Sequence, residues 1–183
     1  MITSGPEGKA MYDWTADSRE VIFGRENKDS GWDLYAASVQ GNHQVRPLVE
    51  GPFNQHDARV SPNGKWLAYV SDESGQDEIF VQVMDDPNTR IQISLGGGRM
   101  PRWARAGREL FYLSGSKVMS VTFGSGKSLS PSKPTLAFED KNGWNGYDVG
   151  RNDRFVVARD TQLQGSGSQI NIVLNWFEEL KTR

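Results

Sequence analysis

Cysteine is absent from all 183 residues. Its absence excludes disulfides, thiolate metal centres and a cysteine nucleophile. It leaves the redox compartment open, because a cysteine-free chain persists in either setting. Histidine is nearly as scarce, with only His43 and His56, so general-base chemistry has few candidates. Long hydrophobic runs are missing too. The longest, near Ile170–Leu174, is far too short to span a bilayer. Met1 to Met11 lack the apolar core of a signal peptide, and there is no Asn-x-Ser/Thr acceptor for glycosylation. Neither sign of charge dominates. The 21 basic and 23 acidic residues give a formal net charge of −2 and a pI near 5.7. That balance argues against a nucleic-acid partner and against membrane insertion.

Glycine and aromatic residues are present in quantity: 20 glycines, with Phe, Trp and Tyr making 10% of the chain. Frequent turns between aromatic-rich segments point to short strands. A chain of this length can bury roughly 70% of its unfolded surface, enough for a true core.

The strands repeat. Asp57 to Asp72 reads as a strand, a tight turn and a second strand, with Asn63-Gly64 signalling a type I′ hairpin. Trp14–Phe23, Trp103–Tyr112 and Val149–Ala158 align without gaps on Val60–Tyr69. The anchors Trp14, Val60, Trp103 and Val149 are separated by 46, 43 and 46 residues. A period of about 40–50 residues built from short strands is the signature of propeller blades. Third strands are expected at Trp32–Tyr35, Glu78–Val81, Lys117–Val121 and Gln169–Val173. Fourth strands are expected at Arg46–Val49, Arg90–Ser94 and Pro134–Phe138. Phe177 to Arg183 suits either a fourth strand or a short helical tail.

The expected fold is therefore all-β: a propeller of four four-stranded antiparallel blades, approximately 5–50, 51–95, 96–139 and 140–183. A β-sandwich is the competing architecture, disfavoured by four copies in phase. A lone blade cannot bury both faces, whereas stacked blades can. Trp14, Trp103, Phe23, Tyr69, Phe80 and Tyr112 are the expected filling between them.

The segment Val60-Ser-Pro-Asn-Gly-Lys-Trp-Leu-Ala-Tyr-Val-Ser-Asp72, followed by Asp77-Glu-Ile-Phe-Val81, resembles the TolB-like (WD40-like, PD40) propeller repeat. The first and third units keep the Trp but replace the Ser-Pro-Asp-Gly turn, and the fourth diverges most. The ending Ile170 to Leu180 resembles the C-terminus of propellers attached to bacterial Ser/Thr protein kinases. This resemblance implies a sensor or interaction module in a bacterial periplasmic or extracytoplasmic setting. Propellers of this kind usually carry six to eight blades. Four blades imply a fragment, a half that closes a larger ring as a homodimer, or a four-bladed ring. Met1–Ser4 offers only a short stub for completing the last blade, and open blades leave unpaired strand edges.

Motifs for catalysis are weak. No Gly-x-Ser-x-Gly elbow is present. Gly124 to Ser128 resembles the end of a phosphate loop, but Val121 stands where the motif needs glycine. Gly96-Gly-Gly98 reads as a blade-to-blade linker. The acidic stretch Asp72, Glu73, Asp77 and Glu78 lacks the ligand rhythm of a calcium loop and reads as a solvated hairpin tip. No cofactor and no metal are expected, and the chain reads as non-enzymatic.

The position preceding each anchor carries the strongest functional signal. It holds Asp13, Arg59, Arg102 and Asp148. Strand side chains alternate faces, so if the anchors pack between blades, these four face the axis. Pairs of Asp13 with Arg59 and of Arg102 with Asp148 could staple neighbouring blades. Alternatively, the four could line a central pocket for a protein, a peptide or a small charged ligand, since arginine suits bidentate carboxylate binding. His56, Arg99, Trp144 and Asn145 are expected at its mouth, with Trp144 as an exposed aromatic anchor.

Overall fold

A computed structural model describes residues 5–124, 129–139, 146–150 and 154–158. The architecture is all-β. Fourteen strands are described: β1 (Lys9–Trp14), β2 (Glu20–Asn27), β3 (Gly31–Ser38), β4 (Val45–Val49), β5 (Gln55–Val60), β6 (Trp66–Ser71), β7 (Glu78–Val83), β8 (Asp86–Gln92), β9 (Arg99–Trp103), β10 (Glu109–Ser114), β11 (Lys117–Thr122), β12 (Thr135–Glu139), β13 (Gly146–Val149) and β14 (Phe155–Ala158). They form three antiparallel four-stranded meanders, β1–β4, β5–β8 and β9–β12, and the pair β13–β14. These sheets are the blades of a β-propeller. Each anchor ends the first strand of its blade. The third strand expected at Gln169–Val173, the tail beyond it and the Met1–Ser4 stub lie outside the described residues.

Blades stack because their middle strands bury apolar side chains on both faces. In β6, Leu67 and Tyr69 turn toward blade 1, where they meet Ile22, Leu34, Ala36 and Leu48. The alternate residues Trp66, Ala68 and Val70 turn toward blade 3 and meet Trp103, Leu110, Tyr112 and Phe123. Trp66 stacks on Trp103 with ring centroids 5.7 Å apart, and Phe123 lies within 5.2 Å of both. Between blades 3 and 4, Phe155 sits edge-on to Phe111 and Phe138, each at 4.8 Å. A contact of this kind adds about 0.5–1.5 kcal/mol beyond area burial.

Three sequence expectations are corrected. Trp14 is not core: it is 49% exposed, whereas its equivalents Val60 and Trp103 are each 8% exposed. Val60 packs in the cluster shared with blade 1 and Trp103 in the cluster shared with blade 2. The Asn63-Gly64 turn is not type I′, because only Gly64 has positive φ, at 72°. The Gly64 N–H donates to the Ser61 carbonyl at 2.7 Å and closes a turn that begins one residue earlier. Ser18 (φ 59°) and Gly107 (φ 67°) take the same position in blades 1 and 3. Finally, the fourth strand of blade 2 is Asp86–Gln92; beyond it the Ile93 N–H still donates to the Ile79 carbonyl at 2.7 Å, and Ser94 leaves the ladder. Ser94 is instead buried beside Glu78.

Candidate functional site

The innermost strands β1, β5, β9 and β13 run side by side around the axis. Three of them carry a bulge at one equivalent place: between Met11 and Asp13, between His56 and Arg59, and in the β9–β10 pairing opposite Arg99–Arg102. In β5 and β9 the bulge is made by Asp57 (φ 48°) and Met100 (φ 56°), each three residues before its anchor. A bulge adds a residue to one strand and re-aims the side chains that follow it. The residues so aimed are Asp13, Arg59 and Arg102. In β13, which pairs with β14 in unbroken register, Asp148 holds the equivalent position.

All four charged residues line one cavity of about 410 Å³, together with Tyr12, Val60, Pro62 and Trp103. The convergence matches the position read from the repeat, but the expected pairing is only partly present. Arg102 Nε lies 3.8 Å from Asp148 Oδ1. Asp13 does not form an ion pair with Arg59. Its two oxygens accept the backbone N–H groups of Trp14 and Val60, at 2.8 and 2.9 Å, so this carboxylate ties blade 1 to blade 2 through the main chain. The counter-ion of the arginines is Asp57. Its Oδ1 lies 3.3 Å from Arg59 Nη2 and 3.6 Å from Arg102 Nη1. Asp57 stands outside the anchor-minus-one series, so comparing that position alone passes over it. A polar residue at the bulge position is the signal that could have found it, because Asp tolerates the left-handed region better than most residues.

The guanidiniums are held but not saturated. Arg59 Nη1 donates to the carbonyls of Tyr12 (2.6 Å) and Ala58 (2.8 Å), and Arg102 Nη1 donates to that of Pro101 (2.7 Å). Arg102 also lies 6.0 Å from the centre of the Tyr147 ring, whose hydroxyl donates to the Met100 carbonyl at 2.9 Å. Burial and, after it, the charge of Arg102 hold the Arg59 guanidinium below its ordinary pKa. Two like charges are therefore pressed together in a part-buried site with one carboxylate between them.

His56 and Arg99 do not line this cavity. They occupy equivalent positions at the opposite ends of β5 and β9. His56 Nε2 lies 3.6 Å from Asp77 Oδ1. Arg99 borders a separate cavity of about 250 Å³ with Asp77, Gly97, Gly98 and Leu113. Trp144 and Asn145 lie outside the described residues. The acidic stretch divides. Glu78 is buried, and its Oε1 accepts the N–H groups of Gly96 (2.7 Å) and Gly97 (2.8 Å) and the Gln76 amide (2.6 Å), while Ser94 Oγ donates to Oε2. It fastens the linker that enters β9 and is no solvated tip. Among the described residues no cluster of His, Asp or Glu suits a metal ion.

No family model and no curated protein sequence matches this chain. Solved structures do. TolB from Acinetobacter baumannii superposes with a TM-score of 0.66 at 16% identity, over 93% of this chain and 42% of that one. A puromycin-hydrolysing peptidase of Mycobacterium tuberculosis gives 0.68 at 18%, over 95% and 30%. The propeller domain of the trilobed protease from Pyrococcus furiosus gives 0.58 at 18%, over 91% and 54%. The fold is thus that of TolB-like propellers. The chain spans between 30% and 54% of the length of these three structures.

Proposed function

We propose that this chain is a non-catalytic propeller module that binds a carboxylate-bearing ligand, peptide or small molecule, in the axial cavity. The observation carrying the reading is the meeting of Arg59 and Arg102, from adjacent blades, around the shared carboxylate of Asp57 in the wall of one cavity. Each guanidinium has five N–H donors in a planar fork that matches a carboxylate. Fewer than five are engaged on either arginine among the described residues. An incoming carboxylate would relieve the repulsion between the two cations. The setting drawn from the resemblance, a bacterial extracytoplasmic sensor, belongs to this reading. The likeness to kinase-linked propellers falls on Ile170–Leu180, outside the described residues.

Isothermal titration with an acidic peptide and its amidated counterpart tests the proposal. Arg59→Ala and Arg102→Ala are expected to weaken binding of the acid at least about tenfold, the loss of one charge-assisted contact. Arg59→Lys should recover only part of it, because an ammonium cannot present the fork. If either alanine variant loses thermal stability while the folded fraction binds as before, the arginines are blade staples and the proposal fails.

A second reading has one observation in its favour: two of the three structures above are a peptidase and the propeller of a protease. In that reading the module gates access to a catalytic domain encoded alongside it. A peptidase domain in the same gene would decide for it.

A further inference from the structure

The charges around the axial cavity do not sum to a site for a simple anion. Asp13 and Asp148 line the cavity with Arg59 and Arg102, and Asp57 contacts both arginines, so three carboxylates meet two guanidiniums, for a net charge of −1. A lone anion gains from the arginines and loses to the remaining field. A ligand that carries a cation beside its carboxylate gains from both.

The carboxylates are not equivalent as partners for that cation. Asp57 is spent on the arginines, and both oxygens of Asp13 are hydrogen-bonded to main-chain N–H groups. Asp148 is different. Its side chain is 79% exposed, its Oδ1 accepts the Val149 N–H at 2.9 Å, and its Oδ2 has no hydrogen-bond partner among the described residues. It stands 3.8 Å from Arg102 Nε. This exposed carboxylate and the positive pair are thus neighbours, with the close spacing of an ammonium and a carboxylate borne on one carbon. The rest of the wall is largely apolar, with Tyr12, Val60, Pro62 and Trp103, and about 410 Å³ leaves room for a side chain beyond the charged head.

We infer that the ligand is a free α-amino acid with an apolar or aromatic side chain, its carboxylate on Arg59 and Arg102 and its ammonium on Asp148. The inference rests on the carboxylate-binding reading and narrows it. The negative wall supplies discrimination, since a site built around a charged partner penalises an analogue that lacks it.

Calorimetry on the whole chain with L-phenylalanine, N-acetyl-L-phenylalanine, 3-phenylpropanoate and L-phenylalaninamide as probes tests it. L-phenylalanine should bind tightest, with each analogue weaker by about tenfold or more for the lost charged contact. Asp148→Asn, at an exposed position, should cost L-phenylalanine about tenfold and leave 3-phenylpropanoate equal or tighter. If N-acetyl-L-phenylalanine or 3-phenylpropanoate binds as well as L-phenylalanine, the amino-acid inference is overturned and carboxylate binding stands. If no carboxylate probe binds while thermal unfolding shows a folded protein, both readings fall.

Discussion

Glu78 shows how one side chain can decide where a strand begins. Four donors converge on its carboxylate, two of them the N–H groups of Gly96 and Gly97, which hold positive φ values of 99° and 100°. Gly98 beside them has no room for a side chain, since a Cβ there would stand 2.3 Å from Ser94 Oγ. From this knot the chain enters β9 and carries Arg102 to the axis. Burial alone would raise the Glu78 pKa. The donors from Ser94, Gly97, Gln76 and Gly96 together outweigh it and hold the group below its ordinary 4.5. A depressed carboxyl stabilises the fold above its unfolded pKa and loses that contribution as pH falls through the folded value. Acid unfolding monitored by tryptophan fluorescence should therefore show a loss of stability beginning below about pH 4.5. Glu78→Gln should be less stable by about 2–3 kcal/mol at neutral pH and lack that acid step. A Gln variant as stable as the parent would mean that the linker holds itself.

At the scale of the strand, the period and the alternation of faces were open to a reader of the sequence, and the bulge was not. In-phase anchors place Trp14, Val60, Trp103 and Val149 at strand ends, and alternation then sets Asp13, Arg59, Arg102 and Asp148 on the other face. The structure brings these four to one cavity. Alternation alone says nothing of an inserted residue. Asp57 and Met100 share a positive φ yet have unlike side chains, so only the polar residue in β5 hints at the place. The pairing of Asp13 with Arg59 failed for a related reason: main-chain N–H groups compete for carboxylates, and the sequence does not show where they point. For Glu78, acidic neighbours suggested solvent, but burial is set by Ser94 and by a linker that begins 18 residues away.

The bulge makes a prediction of its own. Asn adopts the left-handed region about as readily as Asp, so Asp57→Asn keeps the backbone and removes only the charge. With no counter-ion between them, Arg59 and Arg102 repel. The variant should unfold at lower temperature by about 1–3 kcal/mol of stability, the cost of stranding a part-buried charge. It should also bind a carboxylate ligand more tightly and regain more thermal stability on binding than the parent does. Calorimetric scans with and without ligand separate the two effects. A variant both less stable and unable to bind would assign Asp57 to the ligand itself.

For the molecule as a whole, stacking governs stability. Each blade buries its faces only against neighbours, and the three clusters between blades 1 and 4 follow that rule. Among the described residues, the innermost strand of blade 1 stands out for its exposed apolar side chains. Met11 is 63% and Trp14 49% exposed, at positions whose counterparts in blade 2 and blade 3 are covered or drawn into the bulge. Large apolar side chains exposed together on one strand favour association. We expect a homodimer in solution, with light scattering giving about twice 20.4 kDa and Trp14 protected from acrylamide quenching. Trp14→Ser should then return a monomer of unchanged secondary structure by circular dichroism. Because Trp14 adjoins Asp13, dimerisation would bring a second chain to the rim of the axial cavity, and the monomeric variant would bind its ligand with altered affinity. A monomeric parent with Trp14 freely quenched would place recognition within one chain and leave Trp14 as surface available to a different partner.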